Sequence, residues 1–229
     1  MSNASTSAEP WPDFIGSLTH ELRHEVSAVL HQVELLRSNA LDEPTQRRSL
    51  AAVEANAENL MGFIDHLGEL GRIMRGDVST SCRRIDVDEL IGGSVRDRTR
   101  HVDWHAPAKG AADVWSTYTD PLIVDQIVTG VLDQYSRDEV DANAVVSAFA
   151  QRSGDRYIDV AFTSGRPGPF DPAPFRTATL DDGLSMFVAH KSAELVGGQF
   201  GMIGSSRRGS YVLRLPHVET SPAASAMPD

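Results

Sequence analysis

The pentapeptide His20-Glu21-Leu22-Arg23-His24 carries the side chains best suited to chemistry in this chain of 229 residues. Its two histidines are four positions apart and share one face of a helix, and the glutamate between them can accept a proton. One chemistry this permits is hydrolysis at a zinc ion held by both imidazoles. The other is phosphoryl transfer to one imidazole, which is a good nucleophile near neutral pH.

A zinc site needs a third ligand, and the nearest downstream histidine is poorly placed for it. His31 comes eleven residues after His20. If the helix continues, His31 lies roughly 16 Å further along the axis, too far to share one ion. The sequence therefore favours phosphoryl transfer on His20. A zinc hydrolase and a plain surface histidine remain as alternatives.

Heptad patterns on both sides of this motif predict two long helices. The first helix has two interleaved series, namely Ile15, Leu22, Val29 and Leu36 with Thr19, Val26 and Val33. After a break at Asp42-Glu43-Pro44, the second helix has Leu50, Ala57 and Ile64 with Val53, Leu60, Leu67 and Met74. This sustained spacing predicts an antiparallel helical hairpin over residues 13–78.

A single hairpin cannot bury both of these seams well. We therefore expect two copies of the chain to pair through helices 13–40 and 45–75, as a four-helix bundle in a homodimer. The alternative is a monomeric hairpin that packs on the rest of the chain. The seams leave His20 off the apolar face of its helix.

From about residue 83 the pattern changes to short strands mixed with helices. The strands are predicted at 84–87, 114–118, 145–152, 156–163, 199–203 and 210–215. The helices are predicted at 88–100, 121–135 and 185–196. This order predicts an α/β sandwich domain over residues 83–217.

Composition argues against nucleic acid as a partner, against a disulfide and against a membrane span. The net charge of −11 argues against nucleic acid, because phosphate backbones attract Lys and Arg. Cys82 is the only cysteine, so no intrachain disulfide can form. No apolar run reaches the ~18–20 residues that span a bilayer. We therefore expect a cytoplasmic protein without a membrane partner, with disordered segments at 1–12 and 218–229.

The segment Asp13-Phe14-Ile15-Gly16-Ser17-Leu18-Thr19-His20-Glu21-Leu22-Arg23 resembles the H box of the histidine-kinase family, and Glu34-Leu35-Leu36 resembles the sequence that commonly follows. The resemblance implies that His20 is the phospho-acceptor. Glu21 would hydrogen-bond or deprotonate it, and Arg23 would help neutralise phosphoryl charge. The chain departs from the family at His24 and Glu25, where a threonine or asparagine and then a proline are usual. The resemblance therefore does not extend to the family's phosphatase residue.

Later segments resemble the Bergerat-type ATPase domain of the same family. The matching stretches are 85–91, 120–128, 183–188, 197–200 and 208–216. With the H box, the resemblance covers most of residues 13–216. It implies a hairpin followed by an α/β sandwich of the histidine-kinase ATPase type.

The residues that bind nucleotide in the family are replaced in this chain. Gln134 and Gly130 stand where the N box holds Mg²⁺, and Tyr135 stands where the family has alanine. Thr163 replaces the aspartate that reads adenine, with Gly165 following in the first Gly-rich box. The second such box keeps one glycine, Gly183, after Asp181 and Asp182, whose carboxylates would repel a triphosphate. We therefore expect a degenerate site that binds neither ATP nor metal.

Together these features predict a histidine phosphotransferase of a two-component phosphorelay. It would pass phosphoryl groups between His20 and the aspartates of response-regulator receiver domains without using ATP. The receiver would supply Mg²⁺. Two alternatives remain: a divergent but active ATP-dependent sensor kinase, and a pseudokinase scaffold that binds response regulators.

Overall fold

The computed structural model describes residues 11–38, 42–96, 102–106, 115–138, 145–164, 175–203 and 210–218. Two long antiparallel helices come first, α1 (Trp11–Arg37) and α2 (Glu43–Arg75). Helix α2 begins after Asp42, whose carboxylate accepts a hydrogen bond from the Thr45 backbone N–H. It ends at Gly76, which adopts a left-handed conformation with φ of 71°. The two termini assigned to disorder lie outside the described residues, apart from Trp11, Pro12 and Val218.

Among its described residues, the second part of the chain combines three helices with eight strands. The helices are α3 (Val87–Arg96), α4 (Pro121–Asp138) and α5 (Leu184–Leu195), with a 3-10 turn at Leu180–Asp182 before α5. The strands are β1 (Arg83–Asp86), β2 (Val102–His105), β3 (Ser116–Thr119), β4 (Val146–Ser153), β5 (Tyr157–Ser164), β6 (Arg176–Thr177), β7 (Gln199–Ile203) and β8 (Ser210–Pro216).

These strands form two sheets. Strands β1 and β3 pair antiparallel, and the larger sheet has the order β2-β4-β5-β8-β7-β6. Only the β2–β4 pair of the described strands is parallel. The predicted elements are found, while β2 and β6 were not anticipated. The mixed helix-and-sheet fold class is thereby confirmed.

The core of this domain lies between the three helices and one face of the larger sheet. Ile158, Val160 and Phe162 alternate along β5 and are buried on that face. Helix α4 presents a broad apolar face of buried residues, namely Val124, Ile127, Val128 and Val131. Burial of these aliphatic side chains is the main stabilising contribution, since each fully buried Val or Ile adds about 1.5–3 kcal/mol.

The heptad series of the hairpin separate into an inner and an outer half. Along α1, the half-buried positions Leu22 and Val29 lie within the hairpin, whereas Val26 is 43% exposed. Along α2, Val53 and Leu60 are half-buried, as is Leu67. The exposed apolar residues that share one side of each helix are called here the outer stripe: Ile15, Val26, Leu30, Val33, Leu50, Met61 and Ile64. Met74, in the last turn of α2, is exposed on another side. One hairpin thus buries only part of its seams, as its geometry requires.

Candidate functional site

His20 lies on the exposed side of α1. Leu18 and Leu22, two positions before and after it, are half-buried in a cluster of apolar side chains. Successive residues of an α-helix are about 100° apart, so side chains two positions apart lie on nearly opposite sides. The His20 imidazole therefore points away from that cluster and into solvent.

The same exposed face of α1 continues beyond His20. His24 follows one turn later and is exposed, as are Arg23 and His31. The side chain of Glu21 lies outside the described residues. Helix α1 runs without interruption past His24, so His20 and His31 do not converge on one ion. Within the described residues, no group of three or more His, Cys, Asp or Glu side chains is placed to hold a metal. The geometry thus gives no support to the zinc alternative.

The apolar cluster beside α1 joins the hairpin to the second domain. Its buried members are Phe63 and Leu70 of α2 with Leu184, Phe187 and Val188 of α5. Leu180 of the 3-10 turn packs against the same cluster. The second domain therefore contacts the hairpin on the side away from His20, and leaves the histidine open to a molecule approaching from outside.

Helix α4 carries the positions that correspond to the N box. Gly130 offers no side chain, and no described atom lies within 4 Å of a Cβ built there. Gln134 is half-buried one turn later. A Mg²⁺ ion held between nucleotide phosphates and protein needs a well-placed oxygen ligand, because its octahedral geometry is strict. The pair Gly130 and Gln134 is a poor match for that requirement.

Tyr135 fills space in the interior next to these positions. Its side chain is 6% exposed, and its hydroxyl donates a 2.7 Å hydrogen bond to the Phe162 carbonyl oxygen of β5. Its ring meets Tyr211 edge-on at 5.2 Å, and Tyr211 stacks on Phe200 at 6.1 Å. These rings lie between α4 and strands β5, β7 and β8, and Phe162, whose carbonyl oxygen Tyr135 contacts, directly precedes Thr163.

The end of β5 bears the counterpart of the first Gly-rich box. Thr163 is half-buried there. Its hydroxyl is neutral, whereas the family pattern places an aspartate to accept a hydrogen bond from adenine. Gly165 lies outside the described residues. The described residues therefore differ from the family pattern at both the adenine position, Thr163, and the metal position, Gly130.

Asp182, which precedes Gly183, proves to be an ion-paired capping residue. Both of its carboxylate oxygens accept hydrogen bonds from Arg176, at 2.7 and 2.8 Å, and the Thr179 backbone N–H donates another. Burial alone would raise the pKa of Asp182, but these hydrogen bonds and the Arg176 charge outweigh it and lower the pKa. Asp181 and Asp182 were expected to repel a triphosphate together; the ion pair with Arg176 weakens the contribution of Asp182 to that repulsion. The side chain of Asp181 lies outside the described residues.

Sequence reasoning missed the Arg176–Asp182 pair and the contact of Leu180 with the hairpin. The spacing Thr179-x-x-Asp182 was a usable signal, since a hydroxyl residue followed three positions later by an acidic one marks a helix start. Nothing in the local sequence pointed to Arg176 as the partner.

A helical hairpin with an exposed histidine, followed by an α/β sandwich of this topology, is similar to the fold of solved histidine kinases. The solved structures agree in fold. Acinetobacter baumannii histidine kinase AdeS covers 86% of this chain and 97% of its own, with a TM-score of 0.54 at 14% identity. Histidine kinase ThkA, solved in complex with response regulator protein TrrA, covers 90% of this chain and 61% of its own, with a TM-score of 0.56 at 12% identity.

Curated sequences point the same way. Sensor histidine kinase TrcS of Mycobacterium tuberculosis is 26% identical over 171 residues, which is 74% of this chain and 31% of TrcS. Virulence sensor protein BvgS of Bordetella bronchiseptica is 24% identical over a gapped alignment of 251 residues, which covers 93% of this chain and 19% of BvgS. The chain is thus similar in sequence to sensor histidine kinases, and it spans less than a third of the length of these relatives.

No family model matches the sequence. Among the described residues, no helix combines the length and apolarity needed to cross a bilayer.

Proposed function

We propose that this chain is a histidine phosphotransferase of a two-component phosphorelay, which takes phosphoryl groups from receiver domains and not from ATP. The observation that carries the proposal is Tyr135, whose buried ring and hydrogen bond to Phe162 fill space beside the nucleotide positions. The exposure of His20 on the side away from the chain's own second domain supports it as well.

The proposed transfer is a displacement at phosphorus. An imidazole nitrogen of His20 attacks the aspartyl phosphate of a receiver, so that a P–N bond forms as the P–O bond breaks and the carboxylate leaves. Glu21 accepts the proton from the ring, and Arg23 neutralises part of the phosphoryl charge. Transfer to a second receiver reverses these steps. Mg²⁺ comes from the acidic pocket of the receiver, and the chain itself supplies position and charge.

Response-regulator receivers are the proposed partners, by analogy with ThkA, which was solved with such a protein. We also propose that a second copy of the chain covers the outer stripe, which makes a four-helix bundle. A surface with Ile15, Leu30 and Ile64 each more than half exposed is costly to leave in water.

An ATP-dependent sensor kinase is the second candidate. It is favoured by the relatives TrcS and BvgS, which are named as sensor proteins, and by the amide of Gln134, which keeps the chemical type of the N-box ligand. A pseudokinase scaffold is the third candidate, and it would bind receivers without needing the His20 imidazole.

The test offers phosphorylated receivers to the wild-type chain, to His20→Ala and to the matched control His24→Ala. We expect label on the wild type and on His24→Ala, and none on His20→Ala. Glu21→Gln should slow transfer by roughly 100-fold if Glu21 takes the proton. If receivers bind but neither the wild type nor any variant acquires label, the phosphotransferase proposal fails and the pseudokinase scaffold is the function that the result supports.

Calorimetry with Mg²⁺–ATP separates the first two candidates. We expect no binding and no self-labelling with γ-labelled ATP. ATP binding with a self-label that vanishes in His20→Ala would make the chain a kinase and refute the proposal.

A dimer through the outer stripe is tested separately by sedimentation. Ile64→Glu should shift the chain toward monomer, while Asp65→Lys, on the neighbouring exposed position, should not. An unchanged dimer in Ile64→Glu would place the interface elsewhere, and a monomeric wild type would refute the pairing.

A further inference from the structure

The ion pair Arg176–Asp182 connects the edge strand β6 to the 3-10 turn that packs against the hairpin. Arg176 belongs to β6 at the edge of the large sheet, and Asp182 closes the 3-10 turn before α5. The Asp182 side chain is 8% exposed and the Arg176 side chain is 50% exposed. A two-pronged pairing of this kind fixes the relative orientation of its two partners.

Strand β6 is held close to β7 by a glycine. An ideal Cβ at Gly201 would lie 2.1 Å from the Arg176 carbonyl oxygen, which no side chain tolerates. The close approach sets Arg176 in position to reach Asp182. Thr179 adds its backbone N–H and its hydroxyl to the same carboxylate oxygen, so the turn is bound from both ends.

The turn held in this way contacts the phospho-acceptor helix. Leu180, its first residue, packs on the cluster that contains Leu18 and Leu22 of α1. Leu184, in the first turn of α5, is buried in the same cluster. The position of the second Gly-rich box, read from sequence as a remnant of phosphate binding, is therefore part of the interface with the hairpin.

We propose that Arg176 and Asp182 form a clamp that keeps the second domain docked on the hairpin, on the side of α1 opposite His20. Its consequence for transfer rests on the proposed function. Residues 77–80 lead from α2 toward β1 without regular structure, so an undocked domain can swing on this linker. It would then sample the space that a receiver must occupy at His20. Arg176 and Asp182 are thus positioning residues that act through the docked geometry.

The experiment uses the full chain with Arg176→Ala, with Asp182→Asn, which retains an oxygen acceptor for Thr179, and with the control Arg47→Ala. Arg47 pairs with Glu43 at the exposed start of α2 and leaves the turn and its apolar cluster untouched. In both clamp variants we expect hydrogen exchange across residues 180–188 to rise roughly three- to tenfold, with a larger radius of gyration by X-ray scattering. The control should match the wild type.

Transfer kinetics supply a readout that a purely local role would not move. In Arg176→Ala, the receiver concentration that gives the half-maximal transfer rate should rise roughly three- to tenfold, while the maximal transfer rate stays within twofold of the wild type. Labelling of His20 by phosphoramidate, a small donor, should be unchanged. Arg176→Lys should recover part of the loss.

Unchanged exchange and scattering in both variants would overturn the clamp. Faster hydrogen exchange with an unchanged radius of gyration and an unchanged dependence on receiver concentration would also overturn it. The pair would then stabilise only the 3-10 turn and not the docking of the domain. If the wild type accepts no phosphoryl group from any receiver, the proposed function fails while exchange and scattering still decide the clamp.

Discussion

Removing the ring of Tyr135 tests whether the nucleotide region is packed as core. Tyr135 makes two separable interactions, a hydrogen bond from its hydroxyl to the Phe162 carbonyl oxygen and edge-on packing of its ring against Tyr211. Tyr135→Phe removes the first and keeps the second. Tyr135→Ala removes both and leaves a cavity between α4 and the sheet.

The expected losses follow from these contacts. One buried neutral hydrogen bond contributes about 1 kcal/mol net, so Tyr135→Phe should lower the free energy of unfolding by about that amount. Replacing a buried aromatic side chain by alanine costs about 3–5 kcal/mol, since packing is lost and the cavity collapses only partly. The exposed Tyr118 is a suitable control, and Tyr118→Phe should change stability by less than about 0.5 kcal/mol.

Urea unfolding followed by circular dichroism measures these differences, and calorimetry with Mg²⁺–ATP measures the consequence for binding. If Tyr135 excludes nucleotide, Gly130→Asn alone should not bind ATP, although the position has room for a side chain. Gly130→Asn with Tyr135→Ala should gain measurable affinity. A loss below about 1 kcal/mol in Tyr135→Ala, or ATP binding by Gly130→Asn alone, would refute the reasoning.

Three further predictions concern the second domain and the base of the hairpin. Gly201→Ala should destabilise by about 1–3 kcal/mol in thermal unfolding, because its methyl group would overlap the Arg176 carbonyl oxygen. Asp159→Ala should cost about 3 kcal/mol in urea unfolding, because Arg214, which donates two hydrogen bonds to this buried carboxylate, is left without its charge partner. Burial raises the pKa of Glu69, and the charge of Arg72 opposes the shift only in part. The folded state therefore favours protonated Glu69, and the stability that this proton contributes is lost as the pH rises through the raised pKa. The urea midpoint of Glu69→Gln should thus exceed that of the wild type at pH 7.5 and equal it at pH 4.

Much of the fold follows from local signals. Helix α4 was predictable because Asp120 precedes a long run of apolar positions, and that carboxylate indeed accepts hydrogen bonds from the backbone N–H groups of Leu122 and Ser81. Strand β5 was predictable from its alternation and from the turn before it. Strands β2 and β6 were not, because β6 has two residues and β2 is defined by parallel pairing with the distant β4.

The site was predictable in composition but not in arrangement. A heptad pattern places His20 off the seams, yet it cannot tell which half of a seam meets α2 and which half faces outward. The crowding by Tyr135 was foreseeable from its size. Its hydrogen bond to Phe162 was not, because that bond depends on how α4 crosses β5. The ion pair of Asp182 was not foreseeable for the same reason, since the pairing of β6 with β7 is what places its partner Arg176.

On the proposed function, in which Tyr135 excludes nucleotide, the kinase alternative needs two rearrangements that the phosphotransferase does not. ATP binding would require Tyr135 to leave a core position where its hydroxyl and its ring both have partners. Self-phosphorylation would then require the second domain to leave the apolar cluster around Leu18 and Leu22, because His20 points away from it. A receiver supplies its own phosphoryl group and metal and meets His20 from solvent. Transfer from a receiver therefore uses the chain as it is folded, which is why phosphorylated receivers are the sharper first test.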